Sequence, residues 1–363
     1  MSASTSETAA RLVREDVAAV LAVPGRLAVL EPLRQARLTV TGGTGFLGTW
    51  LLELVAALNR DHGFGIHAAI FSRFPQVFRE RHGKLAADRA FTFIAGDVRG
   101  PFDLPRETTH LIHAAAITNG NEFASVPTRV AAVNGMGAVH LFDAARRLAE
   151  PQRVVLISSG LVYGPQPLDL PRLPERSSAL SGLGDVKGVY AASKRFAESV
   201  AAAAVSEGKL PVTIARPFAF VGPHLALHLP WAITDFFRDA LHGGPLRIMG
   251  DGTTVRSLLY ASDFAWAILA LAARGEEREA YNVGSPEGID LLSLAQKIAA
   301  LPPSAPEIQT GRGQTAGNPS RFVPETRKIE ALLGGPLVSV PLDRALERTM
   351  EWYRTSPRID NRA

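Results

Sequence analysis

Three features of this sequence predict an α/β fold: a doubly wound parallel sheet with a smaller C-terminal α/β lobe. Short apolar strand signals alternate with helical ones from residue 37 to about 215. A glycine-rich turn, Thr41-Gly42-Gly43-Thr44-Gly45-Phe46-Leu47-Gly48, joins the first strand to the first helix after it. Further on, Tyr190 and Lys194 stand one helical turn apart. Alternation of this kind lays strands parallel, with helices on both faces. Such a turn lets backbone approach a pyrophosphate at a helix N-terminus, where free N–H groups and the helix dipole favour an anion. Residues four apart share a helix face, so the phenol and the ammonium lie side by side. Turn and pair together point to a nicotinamide cofactor beside a proton-transfer group, and hence to a redox enzyme.

The elements follow in order. Residues 1–36 read as an N-terminal helical extension. Leu12, Val13, Val17, Val20 and Leu21 recur at helical spacing and predict an amphipathic helix over 8–22. Residues 37–216 read as the dinucleotide-binding domain. Its strands are expected at 38–40, 66–71, 91–94, 110–115, 153–158 and 212–215, and its helices at 46–59, 129–149 and 188–206. From 217 to 363 the alternation breaks at Pro217, Pro223, Pro230 and Pro245. Helices at 230–242, 262–274, 290–300 and 342–354, with short strands at 246–248 and 281–283, read as a substrate-binding lobe. Some segments cross between the two parts. The lobe is expected to close over the strand ends, where open α/β sheets bind ligands. Residues 302–320, rich in Pro, Gly, Thr and Ser, read as a loop.

Composition narrows the function. The chain has 363 residues, 46% hydrophobic and 20% charged, with a formal net charge of +4. The basic residues are scattered, which suits an anionic small molecule and gives no basic stripe for nucleic acid. The absence of cysteine excludes disulfides, thiol nucleophiles and Cys-ligated zinc, and fits a reducing, cytoplasmic setting. No apolar run reaches the ~18 residues of a membrane span. Arg11, Arg14, Glu15 and Asp16 interrupt any signal-peptide core. No metal site is expected. His224 and His228 are four apart, but no glutamate completes an H-E-x-x-H pattern and Pro223 and Pro230 bracket the pair.

The spacing of the turn is G-x-x-G-x-x-G, at Gly42, Gly45 and Gly48. With GDV at 96, HAAA at 113, SSGLVYG at 158, YAASK at 190, ARPFAFVGP at 215, GDGTTVRSLLYASDFA at 250 and YNVG at 281, the chain from about 37 to 354 resembles the extended short-chain dehydrogenase/reductases, in their nucleotide-sugar epimerase/dehydratase branch. The resemblance implies a Rossmann domain binding NAD or NADP. It makes Tyr190 the catalytic acid/base, Lys194 its partner and a ligand of the nicotinamide ribose, and Ser159 the group that orients the substrate hydroxyl. The ammonium is expected to draw the phenol from its ordinary pKa near ~10 toward working pH. Gly42, Thr44, Gly45, Phe46, Leu47 and Gly48 would hold the pyrophosphate. Asp97 and Val98 would hold adenine, with His113, Ala114 and Ala115 beside the pyrophosphate and ribose. Pro217 is a further cofactor contact. Asn134 would organise the active-site helix or serve as a satisfied core amide. NAD enzymes usually carry an acid at the end of the second strand. Here Ser72 and Arg73 stand there and favour the 2′-phosphate of NADP, although Arg73 stacking on adenine leaves NAD open. For a nucleotide-sugar substrate the implied residues are Thr118, Ser159, Gly160, Arg247, Arg256 and Arg321, with Arg256 as the diphosphate clamp. Helices 129–149 and 188–206 match those through which the family forms homodimers.

Departures from the family narrow the reaction. Its 4,6-dehydratases carry an Asp-Glu pair directly after the catalytic Ser/Thr, and its uronic-acid decarboxylases a Glu at the second position. Here the two positions are Gly160 and Leu161. Many relatives carry Asn where Ala219 stands. The set that remains, Ser159, Tyr190 and Lys194, suffices for 4-epimerisation through a 4-keto sugar, and equally for net reduction of one. Sugar choice is expected to rest on loops at 116–124, 165–188 and 224–231. A non-catalytic dinucleotide sensor on the same fold is the remaining alternative.

Overall fold

The computed structural model describes residues 3–167, 169–177, 188–207, 210–311 and 320–356. Parts of two expected loops, 178–187 and 312–319, lie outside the described residues. Strands β1 (Arg37–Thr41), β2 (His67–Ser72), β3 (Phe91–Ala95), β4 (His110–His113), β5 (Arg153–Ile157) and β6 (Val212–Pro217) form the central sheet with a seventh strand, Ala280–Val283. The spatial order is Ala280–Val283, β6, β5, β4, β1, β2, β3, and every pair is parallel. The direction of winding reverses between β1 and β4, where a crevice opens at the carboxyl ends of the strands. Near-continuous burial of β1, β4 and β5 follows from helices covering both faces. The chain is thus a Rossmann-type α/β protein, as its sequence predicts.

Helix Phe46–His62 packs on one face with helix Ala261–Arg274 and the N-terminal helix Ala3–Ala22, around Val13, Val17, Trp50 and Trp266. Helices Gly137–Ala145 and Val189–Ser206 cover the other, around Leu141, Phe142, Ala197 and Val205. Two segments read as part of the smaller lobe belong here instead. Strand Ala280–Val283 extends the large sheet beyond β6. Helix Ala261–Arg274 is buried at every position from Ala261 to Ala272, because it is roofed by other helices as well as packed on the sheet. The helix expected over 129–149 is shorter and interrupted. It runs as Pro127–Ala131, a π turn over Ala132–Met136, and Gly137–Ala145.

The rest of the C-terminal half builds the smaller lobe. Helices Ala232–Leu241, Leu291–Ala299 and Leu342–Thr355 enclose Phe236, Phe237, Leu294, Leu346 and Tyr353. Strands Ala219–Val221, Val255–Tyr260, Gly288–Asp290 and Arg321–Phe322 make its four-stranded sheet. Leu246–Ile248 pairs with Ile308–Thr310, a strand inside the segment read as loop. The single apolar residue of that strand, Ile308, is hidden among the Pro, Gly, Thr and Ser of the surrounding segment. No described helix is long and apolar enough to cross a membrane.

Candidate active site

The glycine turn sits at the mouth of the crevice. Gly42 has φ +71, and a Cβ there would stand 2.5 Å from the Ala115 backbone nitrogen. Only glycine fits both the left-handed backbone and the close approach of the two loops. Helix Phe46–His62 begins at Gly45 with no side chain capping it. Its first N–H groups are therefore available to an anion. A continuous cleft of about 1560 Å³ runs from this turn across the strand ends to the smaller lobe. Single-ligand pockets are ~300–1,000 Å³, so this one has room for a dinucleotide and a second molecule. The residues present fit a nicotinamide dinucleotide, on the strength of the uncapped helix and the cradle a Cβ would fill.

Most of the expected residues line the cleft: Gly42, Thr44, Gly45, Phe46, Leu47, Gly48, Ser72, Arg73, Asp97, Val98, Ala114, Ala115, Thr118, Ser159, Tyr190, Lys194, Pro217 and Arg256. Thr44 Oγ1 and Ser72 Oγ are 2.6 Å apart, which ties the turn to the end of β2. Asp97 is held by the Arg99 guanidinium at 2.7 Å, which keeps its carboxyl below the usual range. Arg256 is half-buried, with Nη1 donating to the Val255 and Ser320 carbonyls. Burial lowers its pKa.

Five expected residues lie elsewhere. His113 ends β4 with its ring buried under the turn, Nδ1 2.7 Å from Thr41 Oγ1. Desolvation brings it down to about 3. Asn134, inside the π turn, accepts from the Ile117 N–H at 2.9 Å and donates to the Ile117 carbonyl. It clamps the chain just ahead of Thr118 and is a satisfied core amide. Gly160 is buried behind two rings described below. Arg247 and Arg321 are exposed on their strands, and Arg321 Nε donates to the Pro171 carbonyl. Side chains alternate along a strand, so the neighbour of Arg321, Phe322, faces the cleft instead.

Ser159, Tyr190 and Lys194 converge at the end of β5. Ser159 stands close enough to the Tyr190 phenol to lower its pKa, and its Oγ accepts from the Leu161 N–H at 3.2 Å. Lys194 Nζ donates to the Ile157 carbonyl at 2.8 Å. Both the phenol and the ammonium are buried, at 6% and 2% exposure. The expectation that the ammonium draws the phenol toward working pH is not met in the protein alone. Burial pushes Tyr190 up to about 12, against a smaller opposing effect of Ser159. Burial brings Lys194 down to about 8, opposed by Glu198. When bound, a nicotinamide ring supplies the hydride acceptor and donor, and in its oxidised form a positive charge that favours phenolate.

Sequence reading missed the aromatic residues of the site. Phe123 stacks on Tyr190 with ring centroids 4.5 Å apart. Phe218 stacks on Phe322 at 4.3 Å. The sequence signals were the position of Phe123 inside a loop on which sugar choice was expected to rest and that of Phe218 inside ARPFAFVGP. His224 is packed edge-on against Trp50 and Trp352. Among the described residues no cluster of three or more His, Cys, Asp or Glu is placed to hold a metal ion.

Comparison with known proteins agrees with this architecture. Residues 38–284 match the model of the NAD dependent epimerase/dehydratase family. UDP-glucuronic acid decarboxylase 1 of Xenopus tropicalis is 26% identical over 318 residues, covering 88% of this chain and 72% of that protein. Its Arabidopsis thaliana counterpart is 27% identical over 331 residues, covering 91% and 72%. Among solved structures, an epimerase from Methanothermobacter thermautotrophicus superposes with a TM-score of 0.76 at 22% identity, covering 92% of this chain and 96% of that one. The dTDP-glucose 4,6-dehydratase DesIV of Streptomyces venezuelae, solved with NAD bound, gives 0.73 at 25% identity, covering 88% and 97%. The matched model spans the glycine turn, the Ser159–Tyr190–Lys194 set and the seventh strand, so this chain belongs to the NAD-dependent epimerase/dehydratase family and is an enzyme of the extended short-chain dehydrogenase/reductase type.

Proposed function

We propose that this chain is a nucleoside-diphosphate-sugar 4-epimerase that oxidises the sugar at C4 and reduces it again from the other face. The observation that carries the reading is the acid/base inventory around Ser159. Tyr190 and Lys194 are at hand, while the two positions after Ser159 hold Gly160 and Leu161. Water loss or decarboxylation calls for a carboxylate there by resemblance. At Gly160 there is no room for one, since even a Cβ would stand 2.8 Å from Phe218 and Phe322. In the proposed reaction Tyr190 takes the C4 hydroxyl proton as hydride leaves C4, and returns it when hydride comes back. Ser159 orients the hydroxyl and Lys194 holds the cofactor ribose. Arg256 holds the diphosphate.

A second reading, net reduction of a 4-keto sugar with exchangeable NADPH, draws support from Ser72 and Arg73. They stand at the end of β2 with no carboxylate, an arrangement suited to a 2′-phosphate. The enzyme is proposed to pair through helices Gly137–Ala145 and Val189–Ser206, beside which Met136 and Phe196 are 44% and 48% exposed. The test is incubation of the purified protein with nucleotide sugars, with no cofactor added, followed by mass spectrometry and chromatography. A new peak of unchanged mass supports epimerisation. A two-hydrogen shift that needs NADP or NADPH selects the reductase, and loss of water refutes both. Tyr190→Phe removes the positioned acid/base group and is expected to lower kcat about 10²–10⁴-fold. Unchanged turnover in that variant would remove Tyr190 from the chemistry.

A further inference from the structure

The wall beside Ser159 bears on which sugar the cleft takes. Gly160 follows Ser159 directly and lies against Phe218 and Phe322, whose rings stack with centroids 4.3 Å apart and planes 29° apart. Leu161, which is 43% exposed, and half-buried Phe322 face the cleft, and Phe218, 5% exposed, backs Phe322 at its edge. Phe322 stands opposite Arg256 in the parallel pairing of their strands, so ring and guanidinium share one face. The wall therefore starts apolar at Ser159 and ends at a cation.

We propose that the substrate is a nucleoside-diphosphate 6-deoxyhexose, with its C6 methyl group against Leu161, Phe218 and Phe322. The proposal rests on the nucleotide-sugar reading given above. With the reacting hydroxyl at Ser159 and Tyr190 and the diphosphate at Arg256, the sugar ring spans the wall between them. Of the two ring carbons flanking C4, only C5 carries a carbon substituent, so the apolar surface suits the C5 side. A methyl group gains by leaving water there. A hydroxymethyl group gives up its hydrogen bonds to water and meets ring carbons and a leucine. A carboxylate meets neither donor nor counter-charge on these three side chains, and an unpaired charge is the costliest group to desolvate. The same surface that leaves no room for a carboxylate at position 160 thus selects against one on the sugar.

The test is a matched series on the full-length enzyme: the 6-deoxyglucose, glucose and glucuronate conjugates of UDP and of dTDP. Product formation and binding are both measured. The expected kcat/KM for the 6-deoxy sugar exceeds that for glucose about 10- to 100-fold, the discrimination an apolar pocket achieves against an added hydroxyl. The uronate is expected to fall lower still. Leu161→Gln, a change at an exposed position, places a hydrogen-bonding group on the wall and should narrow the gap between methyl and hydroxymethyl several-fold. Equal or faster turnover of glucose, or a ratio unmoved by Leu161→Gln, overturns the proposal while the nucleotide-sugar reading stands. If none of the six compounds is bound or turned over, that reading falls and this proposal with it.

Discussion

At the scale of single residues, the position after Ser159 decides more chemistry than its size suggests. Gly160 is buried against Phe218 Cε2 and Phe322 Cζ, each 2.8 Å from where its Cβ would be. Gly160→Asp therefore forces the ring pair apart, and overpacking of this kind costs about 1–3 kcal/mol. The carboxylate adds a desolvation cost. A lowered urea midpoint, with no gain of a dehydrated product, is the expected outcome. A variant as stable as the parent would mean that Phe322, which is only half-buried, swings aside. None of this packing is legible in the sequence, because residues 160, 218 and 322 meet only in the folded chain. Tyr190 and Lys194 are legible, because helical spacing alone sets them side by side. The outward placement of Arg321 is not legible for a simple reason. Charge suggests an anion site but does not say which face of a two-residue strand a side chain occupies.

Among the elements, the N-terminal helix is held by a buried polar tie rather than by apolar packing alone. Asp16 accepts from Arg348 Nε at 2.8 Å and from the Tyr260 hydroxyl at 2.6 Å, and Arg348 Nη2 donates to the Leu12 carbonyl. Asp16 and Arg348 are each 7% exposed. Arg348→Met keeps the volume but strands a buried carboxylate, and breaking such a pair costs about 3–5 kcal/mol. The drop should appear in urea melts of the whole chain, and a loss under 1 kcal/mol would show that Tyr260 and water suffice for Asp16. The helix itself was plain from the spacing of its apolar residues, and so was the order of strands β1 to β6. The allegiance of helix Ala261–Arg274 was not. An apolar run reads the same wherever it is buried, and its contacts with helix Phe46–His62 and with β4, β5 and β6 assign it to the larger domain. The π turn around Asn134 was equally hidden, since one residue of extra slack leaves no mark on an apolar pattern.

For the molecule as a whole, stability against acid sums buried groups of opposite sign. His110 and His113 ionise near 6.5 when unfolded, but burial holds them down to about 4 and about 3 in the folded chain. Below pH 6.5 the unfolded state therefore binds protons that the folded state refuses. Stability that is complete above pH 6.5 is lost as pH falls, at ~1.4 kcal/mol per pH unit for each group. Glu53 works the other way. Burial raises its carboxyl to about 7 from 4.5, so between those values the folded state is the one that takes up a proton. The rising contribution of Glu53 offsets one of the two falling ones down to pH 4.5, where it stops growing, and buried Asp16, also held above its ordinary value, adds in the same sense at lower pH. Asp97, Asp290 and Glu325, all held below their ordinary values, then begin to lose their stabilising charge as well. The expected curve declines gently from pH 6.5 to 4.5 and steeply beneath it, as read by the urea midpoint at pH 7, 5.5 and 4.2. Glu53→Gln separates the opposing contributions. It removes the offset, so the slope between pH 6.5 and 4.5 should steepen toward that of two histidines. A slope unchanged in that variant would mean that Glu53 keeps its ordinary pKa and that the histidines alone set the response.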